Sequence, residues 1–575
     1  MKKFVERHSY FVYVLVVVSS FLLYHFTFFT SGFPMSHDGT HHLIRSAHYF
    51  QLLKEGQWLP YWDGYMNNGF GSPLFNYVPP LVYIISSIFQ LLSLSVMDSL
   101  KLVVVLFNAI FFIGSYKTLK LFFTTHVSFL ATVILFFSPY RISQVFVRGA
   151  LPEFAALSLT PLFFYLLFKS FKEQNISRNL LLAAFTLCLI FLAHTLLAIQ
   201  LTLGLAALLL GLLFQKKFRN ALQLSGVIVT AMLLSAFLYL PILFELQYVQ
   251  IFLTDAFPPE HHFSAIWQLF DPGWGLGFSM PGTAEDGMSF QLGVFHWMLI
   301  ALASLFLIKD LNKQPNHKNT HLQTALMSVF LVSVFLQISS PVTRFLFEHV
   351  PIFHRQQFPW RFLNVSILLA TFIGATALTR LKVSIVHIVI GCLFIFALSA
   401  YYLRPGVFLQ LSDAELLTYT SDTTFSHEYT PTGRDSTAEK EYIMTDKAYI
   451  IEGGAAINEL TTHSHLTEFN INVQSDLATI RINTMFFPGV KLLVDTNEQQ
   501  FSVVTKKDLY PVEGRDVTNI LQTKLPTGVH HVQVVYLPTP WRKIGSWVSI
   551  SSFILYLVLL AKVLLIQSKL KQASV

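Results

Sequence analysis

Cysteine is nearly missing from this chain. Cys188 and Cys392 are the two among 575 residues, and both sit inside apolar runs. That excludes a disulfide framework and a cysteine-based metal knuckle, and leaves packing as the expected role of each. Charge is scarce too: 12% of residues are Asp, Glu, Lys or Arg, against roughly 25% in an average soluble domain. There is no glycine-rich phosphate-cradling motif, which argues against a nucleotide-linked substrate. The formal charge of +7 does not point to nucleic acid either, because the cations lie in short connectors between apolar runs.

What the chain has is apolar length. Hydrophobic residues make up 53% of it, with 56 Phe. Runs near or above the ~17–25 residues that cross a hydrocarbon core recur up to residue 402, and a last one covers Trp547 to Ile566. The reading is a polytopic α-helical membrane protein with about 12–13 membrane segments. The first run, Tyr10 to Phe29, lacks a small-residue cleavage site and is expected to be a retained helix. Of the segments 79–97 and 101–116, the first is expected not to span, since it opens with Pro79-Pro80.

Basic connectors give the orientation. Placing Lys117/Lys120, Lys169/Lys172/Arg178, Lys216/Lys217/Arg219, Lys309 to Lys318 and Arg380/Lys382 in the cytoplasm puts both termini inside. Loops 31–78, 244–290 and 339–359 then face outward, as does 403–544. This last stretch changes character. Phe469/Ile471/Val473, Ile480/Ile482 and Val532/Val534 alternate with a period of two, and turn chemistry occurs at Phe487-Pro488-Gly489 and Pro526-Thr527-Gly528. A β-rich, sandwich-like domain is expected there, with a loop over 420–440. The expected division is a membrane domain over 1–402, the β-rich domain over 403–544, and a final helix with a tail over 545–575.

Chemistry gathers in the outward loops. Ser36-His37-Asp38-Gly39-Thr40-His41-His42-Leu43-Ile44-Arg45 packs a carboxylate, three imidazoles and a guanidinium beside a bilayer. Such groups are costly there unless they pair, bind a metal or handle a charged ligand. In a helix, Asp38 and His42 would share one face. Asp38 could be a general base or, with His42, part of a metal site; a helix-capping Asp with solvated histidines is the bland alternative. Further along, Tyr61, Trp62 and Asn68 suit a sugar, whose C–H faces stack on rings and whose hydroxyls bond amides. An interfacial aromatic belt explains the rings equally well.

Two more constellations face the same side. Arg148-Gly149-Ala150-Leu151-Pro152-Glu153 places a second carboxylate at a helix start, as part of an acid/base pair or simply as a cap. His354-Arg355-Gln356-Gln357-Phe358-Pro359-Trp360-Arg361 sets two arginines around a proline at another helix start, a ready anion site or a pair of lipid-headgroup contacts. Loop 244–290, with Glu260-His261-His262, Trp267, Asp271, Trp274 and Glu285-Asp286, reads as a solvated loop or a lid.

These residues carry a resemblance. An N-terminal helix, an outward loop with an acidic residue, many further helices and a C-terminal outer domain resemble the GT-C glycosyltransferases. More narrowly, the chain is similar to a bacterial membrane family labelled as related to 6-pyruvoyl-tetrahydropterin synthase. The likeness rests on His37-Asp38 with His41 and Arg45, Tyr140-Arg141 with Arg148-Gly149 and Glu153, and above all Gln357-Phe358-Pro359-Trp360-Arg361. Phe486-Phe487-Pro488-Gly489 with Gly528-Val529-His530 adds to it.

The resemblance implies an enzyme of the bacterial plasma membrane. It would move a sugar from a polyprenyl-phosphate donor to an envelope glycan or teichoic-acid-type acceptor. Asp38 and Glu153 are then the candidate catalytic carboxylates. His37, His41, His42, Arg45, Tyr61, Trp62, Asn68, Arg148, Arg355, Gln357, Trp360 and Arg361 are the candidate substrate contacts. Glu153 matches the second acidic position only loosely, with no Asp-x-Asp, so a need for Mg²⁺ or Mn²⁺ stays open. The zinc-binding histidine arrangement of a soluble pterin synthase is not found. A transporter of lipid-linked glycans and a non-catalytic envelope scaffold are the alternative functions.

Overall fold

The computed structural model describes residues 2–173, 177–252, 258–282, 286–313, 317–421, 423–424, 427–433, 446–505 and 518–572. The helices in chain order are α1 (Lys2–His25), α2 (Gly39–Lys54), α3 (Leu81–Leu91), α4 (Val96–Lys120), α5 (Thr125–Phe136), α6 (Pro139–Phe146) and α7 (Leu151–Ser170). There follow α8 (Arg178–Ala193), α9 (Thr195–Phe214), α10 (Phe218–Leu234), α11 (Ala236–Phe244), α12 (Val294–Lys313), α13 (Lys318–Phe335), α14 (Pro341–His349) and α15 (Pro351–His354). The last are α16 (Leu363–Arg380), α17 (Ile385–Tyr402), α18 (Asp413–Thr418) and α19 (Pro540–Gln572).

Eight stretches among the described residues are helical, long and apolar enough to cross a membrane, or ten if each of two bent pairs is one span. That is fewer than the apolar runs suggest, and the breaks have local causes. The run 121–139 ends α5 at Phe137, because Pro139 lacks an N–H and biases Ser138 to an extended backbone (ψ 129°). The run 221–243 splits into α10 and α11 with a 78° bend. There Ser235 Oγ donates back to the Ala231 carbonyl and Pro241 follows inside α11. α3 has eleven residues and α8 sixteen; α3 would rise only about 16 Å, short of a hydrocarbon core.

Packing around α7 sets up the site. Gly114 of α4 faces α7 so closely that a Cβ would lie 2.7 Å from the Leu162 nitrogen. Thr118 Oγ1 of α4 donates to the Pro161 carbonyl, the helix-interior proline of α7, at 2.6 Å. Arg141 of α6 is fully buried, with its guanidinium 3.8 Å from the Phe111 ring centroid and 4.6 Å from that of Phe154. It donates to Ser158 Oγ of α7 at 3.1 Å. These contacts lock α4, α6 and α7 into one block.

Short strands β1 (Phe33–Pro34) and β2 (Phe408–Leu409) pair antiparallel, tying the loop before α2 to the chain after α17. The remaining strands form one seven-stranded antiparallel sheet. They are β3 (Ala448–Glu452), β4 (Ala455–Thr462), β5 (Leu466–Met485), β6 (Val490–Val494), β7 (Asn497–Gln499), β8 (Ser502–Val503) and β9 (Ile520–Tyr536). β5 and β9 run the length of the sheet, with β4 and β3 along the free edge of β5 and β6 and β8 along that of β9. The inward residues Phe469, Ile471, Val473, Ile480, Ile482, Val532 and Val534 are all at most 1% exposed and join one cluster. Pro526-Thr527-Gly528, expected as a turn, lies inside β9 instead. There the β5–β9 register shifts between Val473 and Leu477, and Gly528 takes φ +140°. Of the loop expected over 420–440, residues 422, 425–426 and 434–440 lie outside the described residues.

The first loop anchors this sheet to the helices. Trp62 is 2% exposed and stacks on Tyr536 at 3.7 Å between ring centroids. Tyr61 donates its hydroxyl to the Tyr536 carbonyl. Asn68 (φ +56°) turns the chain and receives the segment after α18, its N–H donating to the Thr420 carbonyl at 2.8 Å. Tyr61 and Trp62, expected to contact a sugar, thus join the loop to the sheet, and Asn68, expected likewise, joins it through its backbone to the segment after α18. Replacing Trp62 with Ala is expected to cost about 3–5 kcal/mol, read as a lowered thermal midpoint of the purified protein; an unchanged midpoint would mean the stack contributes nothing.

A second joint titrates. His48 of α2 and Asp63 are both buried and lie 2.9 Å apart. Burial opposes charge on His48, but Asp63 outweighs it and raises the imidazole above its usual value. The other face of His48 lies against the backbone of Leu416 and Tyr419. This stabilisation is complete below the unfolded value of about 6.5 and is lost as pH rises through the higher folded one. Hydrogen-exchange protection factors across 413–421 should therefore fall on raising the pH from 6 to 9, and His48→Gln should abolish that dependence.

Candidate functional site

Glu153 occupies the first turn of α7, where the helix dipole favours a negative charge. It is 1% exposed, and a lone carboxylate so buried would be intolerable. The sequence surrounds it with partners from four places. Tyr140 and Gln144 of α6 donate to Oε1 at 2.8 and 3.1 Å. Arg148, in the turn between α6 and α7, binds both oxygens in a fork, Nη1 to Oε1 at 3.1 Å and Nη2 to Oε2 at 2.7 Å. Asn364 of α16 donates to Oε1 at 2.8 Å, and Arg361 Nε lies 3.4 Å from Oε2. The Arg148 guanidinium also lies over Trp360, 4.5 Å from the ring centroid. Glu153, expected as a catalytic carboxylate, thus has both oxygens engaged by neighbouring donors and pairs with both Arg148 and Arg361.

The Asp38 loop docks directly on that turn. The N–H groups of His37 and Asp38 donate to the carbonyls of Val147 and Arg148 at 3.0 and 2.8 Å. Gly149 makes this possible: its φ is +64°, and a Cβ there would fall 2.3 Å from Ser36 Oγ and 2.7 Å from the Gly39 nitrogen. Asp38 sits at the N-cap of α2, yet its side chain makes no capping bond. It is exposed, and its charge bears on Arg148, Arg361 and Tyr83. Among the described residues its carboxylate accepts no hydrogen bond.

The neighbouring candidates separate. His42 is buried, with Nδ1 2.8 Å from the Tyr83 hydroxyl. Burial, then Arg45, His41 and His194, push it well below the usual imidazole range. Asp38 is exposed and His42 is buried, and the Tyr83 hydroxyl that meets His42 also feels the charge of Asp38. No group of three or more His, Cys, Asp or Glu is placed to hold a metal among the described residues. Arg45 points its fork at Thr423, Nε to Oγ1 at 2.9 Å and Nη2 to the carbonyl at 2.6 Å, and so fastens the segment after α18. His41 is half-buried in the first turn of α2.

Loop 244–290 comes over the site. His37 Nε2 meets the Leu276 carbonyl at 3.1 Å and its ring stacks on Phe278 at 4.2 Å. Trp360 is 2% exposed, and Nε1 donates to Ser279 Oγ at 3.2 Å. Asp286 accepts from Gln268 Nε2 and the Met280 N–H; Glu285 lies outside the described residues. Gln357, at φ +62°, accepts from Arg361 Nη1 at 2.9 Å. Arg355 is exposed and is not among the groups bonded to Glu153. Three contributors were missed by sequence reasoning: Gln144, Asn364 and His194. Gln144 and Asn364 carry no local signal; His194 had one, as the imidazole that interrupts the long apolar stretch 179–214.

Fold and site together define a polytopic membrane protein with a buried carboxylate–arginine cluster and a β-sheet domain before its last helix. The chain belongs to the family described as the 6-pyruvoyl-tetrahydropterin synthase related domain, a membrane-protein family, which matches residues 75–404. No curated protein matches it in sequence. Among solved structures it is similar to the mycobacterial arabinofuranosyltransferase AftD, at 15% identity and a TM-score of 0.42 over 68% of this chain and 26% of that one. It is also similar to the Archaeoglobus fulgidus oligosaccharyltransferase, at 11% identity and a TM-score of 0.43 over 73% of this chain and 61% of that one. ArnT from Cupriavidus metallidurans follows at 12% identity and 0.29, over 64% and 77%. The chain thus spans about a quarter of the first and under two thirds of the second.

Glu153→Gln keeps the shape but strands two guanidinium groups, so a stability loss of about 3–5 kcal/mol is expected, seen as a lower thermal midpoint. A midpoint equal to the parent's would show that the arginines do not depend on it.

Proposed function

We propose that this protein is a membrane glycosyltransferase. It moves a sugar from a polyprenyl-phosphate donor to a hydroxyl of an envelope glycan or teichoic-acid-type acceptor. The observation that carries this reading is Asp38: an exposed carboxylate without a hydrogen bond of its own among the described residues, set by backbone bonds beside two arginines that Glu153 holds in place. The basic connectors support a site on the outer face of the plasma membrane, with both termini in the cytoplasm.

In this mechanism Asp38 accepts the proton of the acceptor hydroxyl as its oxygen bonds to the anomeric carbon. The bond from that carbon to the phosphate oxygen breaks, and its electron pair leaves on the phosphate. Charge therefore accumulates on phosphate in the transition state, where preorganised cations act best. Arg361 suits this role. Its Nη1 is spent on the Gln356 carbonyl and Gln357 Oε1, while Nη2 has no hydrogen bond among the described residues. Leu276, Phe278 and Ser279 lie against His37 and Trp360 at the edge of the site. With Glu153 saturated, Asp38 has no second carboxylate beside it, so the residues described do not compose a Mg²⁺ or Mn²⁺ site. No step depends on one.

Asp38→Asn should lower transfer by about 10²–10⁴-fold, the scale of a positioned base. Radiolabelled polyprenyl-phosphate sugar and membranes bearing equal amounts of each protein provide the assay; full activity in the variant would refute the assignment.

A further inference from the structure

His194 stands between α8 and α9 with an extended backbone (φ −157°, ψ 118°), and serves as N-cap of α9. Its Nδ1 accepts the Leu197 N–H at 3.1 Å. An imidazole that accepts at Nδ1 carries its proton on Nε2. That second nitrogen makes no hydrogen bond among the described residues, and it is not among the sealed polar atoms. The ring is close enough to Glu153, Arg361, Arg148 and His42 to exchange charge effects with all four. Burial above all, opposed by Glu153 and aided by Arg361 and Arg148, holds the imidazole down to about 3. At neutral pH it is therefore an uncharged donor.

Capping alone does not require this residue. Ser, Thr, Asp and Asn are the preferred caps, and none of them carries an N–H as far from the capped backbone as the Nε2 of histidine. Histidine adds an N–H on the far side of the ring, beside two guanidinium groups that already favour an anion. A phosphate offers several acceptor oxygens, more than Arg361 Nη2 can serve. A neutral donor fills the remaining need without adding a third positive charge to a crowded cluster.

We propose that His194 is a substrate-binding residue whose Nε2–H hydrogen-bonds a phosphate oxygen of the lipid-phosphate ligand. This rests on the transferase reading for its place in the reaction. As the bond from the anomeric carbon to phosphate breaks, the electron pair settles on phosphate oxygen, His194 keeps its proton, and the acceptor proton goes to Asp38. The bond to His194 strengthens with that charge, and it persists to the product, a polyprenyl monophosphate.

Two substitutions separate binding from capping. Asn can keep the cap, since its short amide reaches the position of Nδ1, but it loses the distal N–H. Gln reaches the position of Nε2 and gives up the cap. Binding of farnesyl monophosphate to the purified full-length protein, by thermal shift and by titration, is the measurement. His194→Asn should leave the thermal midpoint of the free protein in place and weaken farnesyl monophosphate about tenfold or more. His194→Gln should lower the midpoint and recover much of the binding. Equal binding by the parent and His194→Asn, or no binding by the parent, overturns the proposal. Binding that depends on His194 in a protein that transfers no sugar would sustain it and refute the transferase. Transfer that requires Asp38 but is indifferent to His194→Asn would do the reverse.

Discussion

The buried carboxylate of Glu153 is the interaction on which the site depends. A charge removed from water must be compensated in place, and here the compensation comes from α6, the α6–α7 turn, the Pro359–Phe362 turn and α16 at once. Because each of these donors is fixed by Glu153, their mutual geometry is fixed too. Arg148 can then offer its own carbonyl, and that of Val147, to the Asp38 loop. One neutralised anion in the interior therefore positions an unneutralised one at the surface.

The rest of the architecture protects that arrangement. α4, α6 and α7 are locked behind it by the Gly114 contact, the Thr118 bond and the aromatic cage of Arg141. In front, loop 244–290 lies on His37 and Trp360. To the side, the chain between α17 and the sheet is fastened by the β1–β2 pair, Arg45, His48 and Asn68. Trp62 then carries the same loop onto the sheet. The sheet domain is thus packed directly on the loop that bears Asp38.

Much of the fold was legible because it depends on local pattern. Long apolar runs must become helices where the backbone cannot bond water, and the alternation at Phe469, Ile471 and Val473 has no other stable outcome than a half-buried strand. The number of continuous helices was less legible, since runs such as 121–139 and 221–243 are apolar throughout but break at Ser138-Pro139 and Ser235. Pro526-Thr527-Gly528 has turn chemistry, yet the long β5–β9 pairing carries it through as a bulge. In the site, side-chain partners from distant segments were not legible. Trp62, Arg45 and His42 have the chemistry of ligand contacts and are spent on internal partners.

By itself the sequence determined that the chain is a helical membrane protein with a late β-rich region, and that its reactive side chains cluster in a few loops. Those follow from hydrophobic length and periodicity, which are properties of neighbours in the chain. Only the tertiary structure decided which of two carboxylates is available. Asp38 and Glu153 both carry carboxylates, but Glu153 meets partners from four directions and Asp38 meets no hydrogen-bond donor among the described residues. Tyr140, Gln144 and Arg148 are near Glu153 in the chain, but Asn364 and Arg361 come from more than two hundred residues away, and no local pattern encodes that meeting.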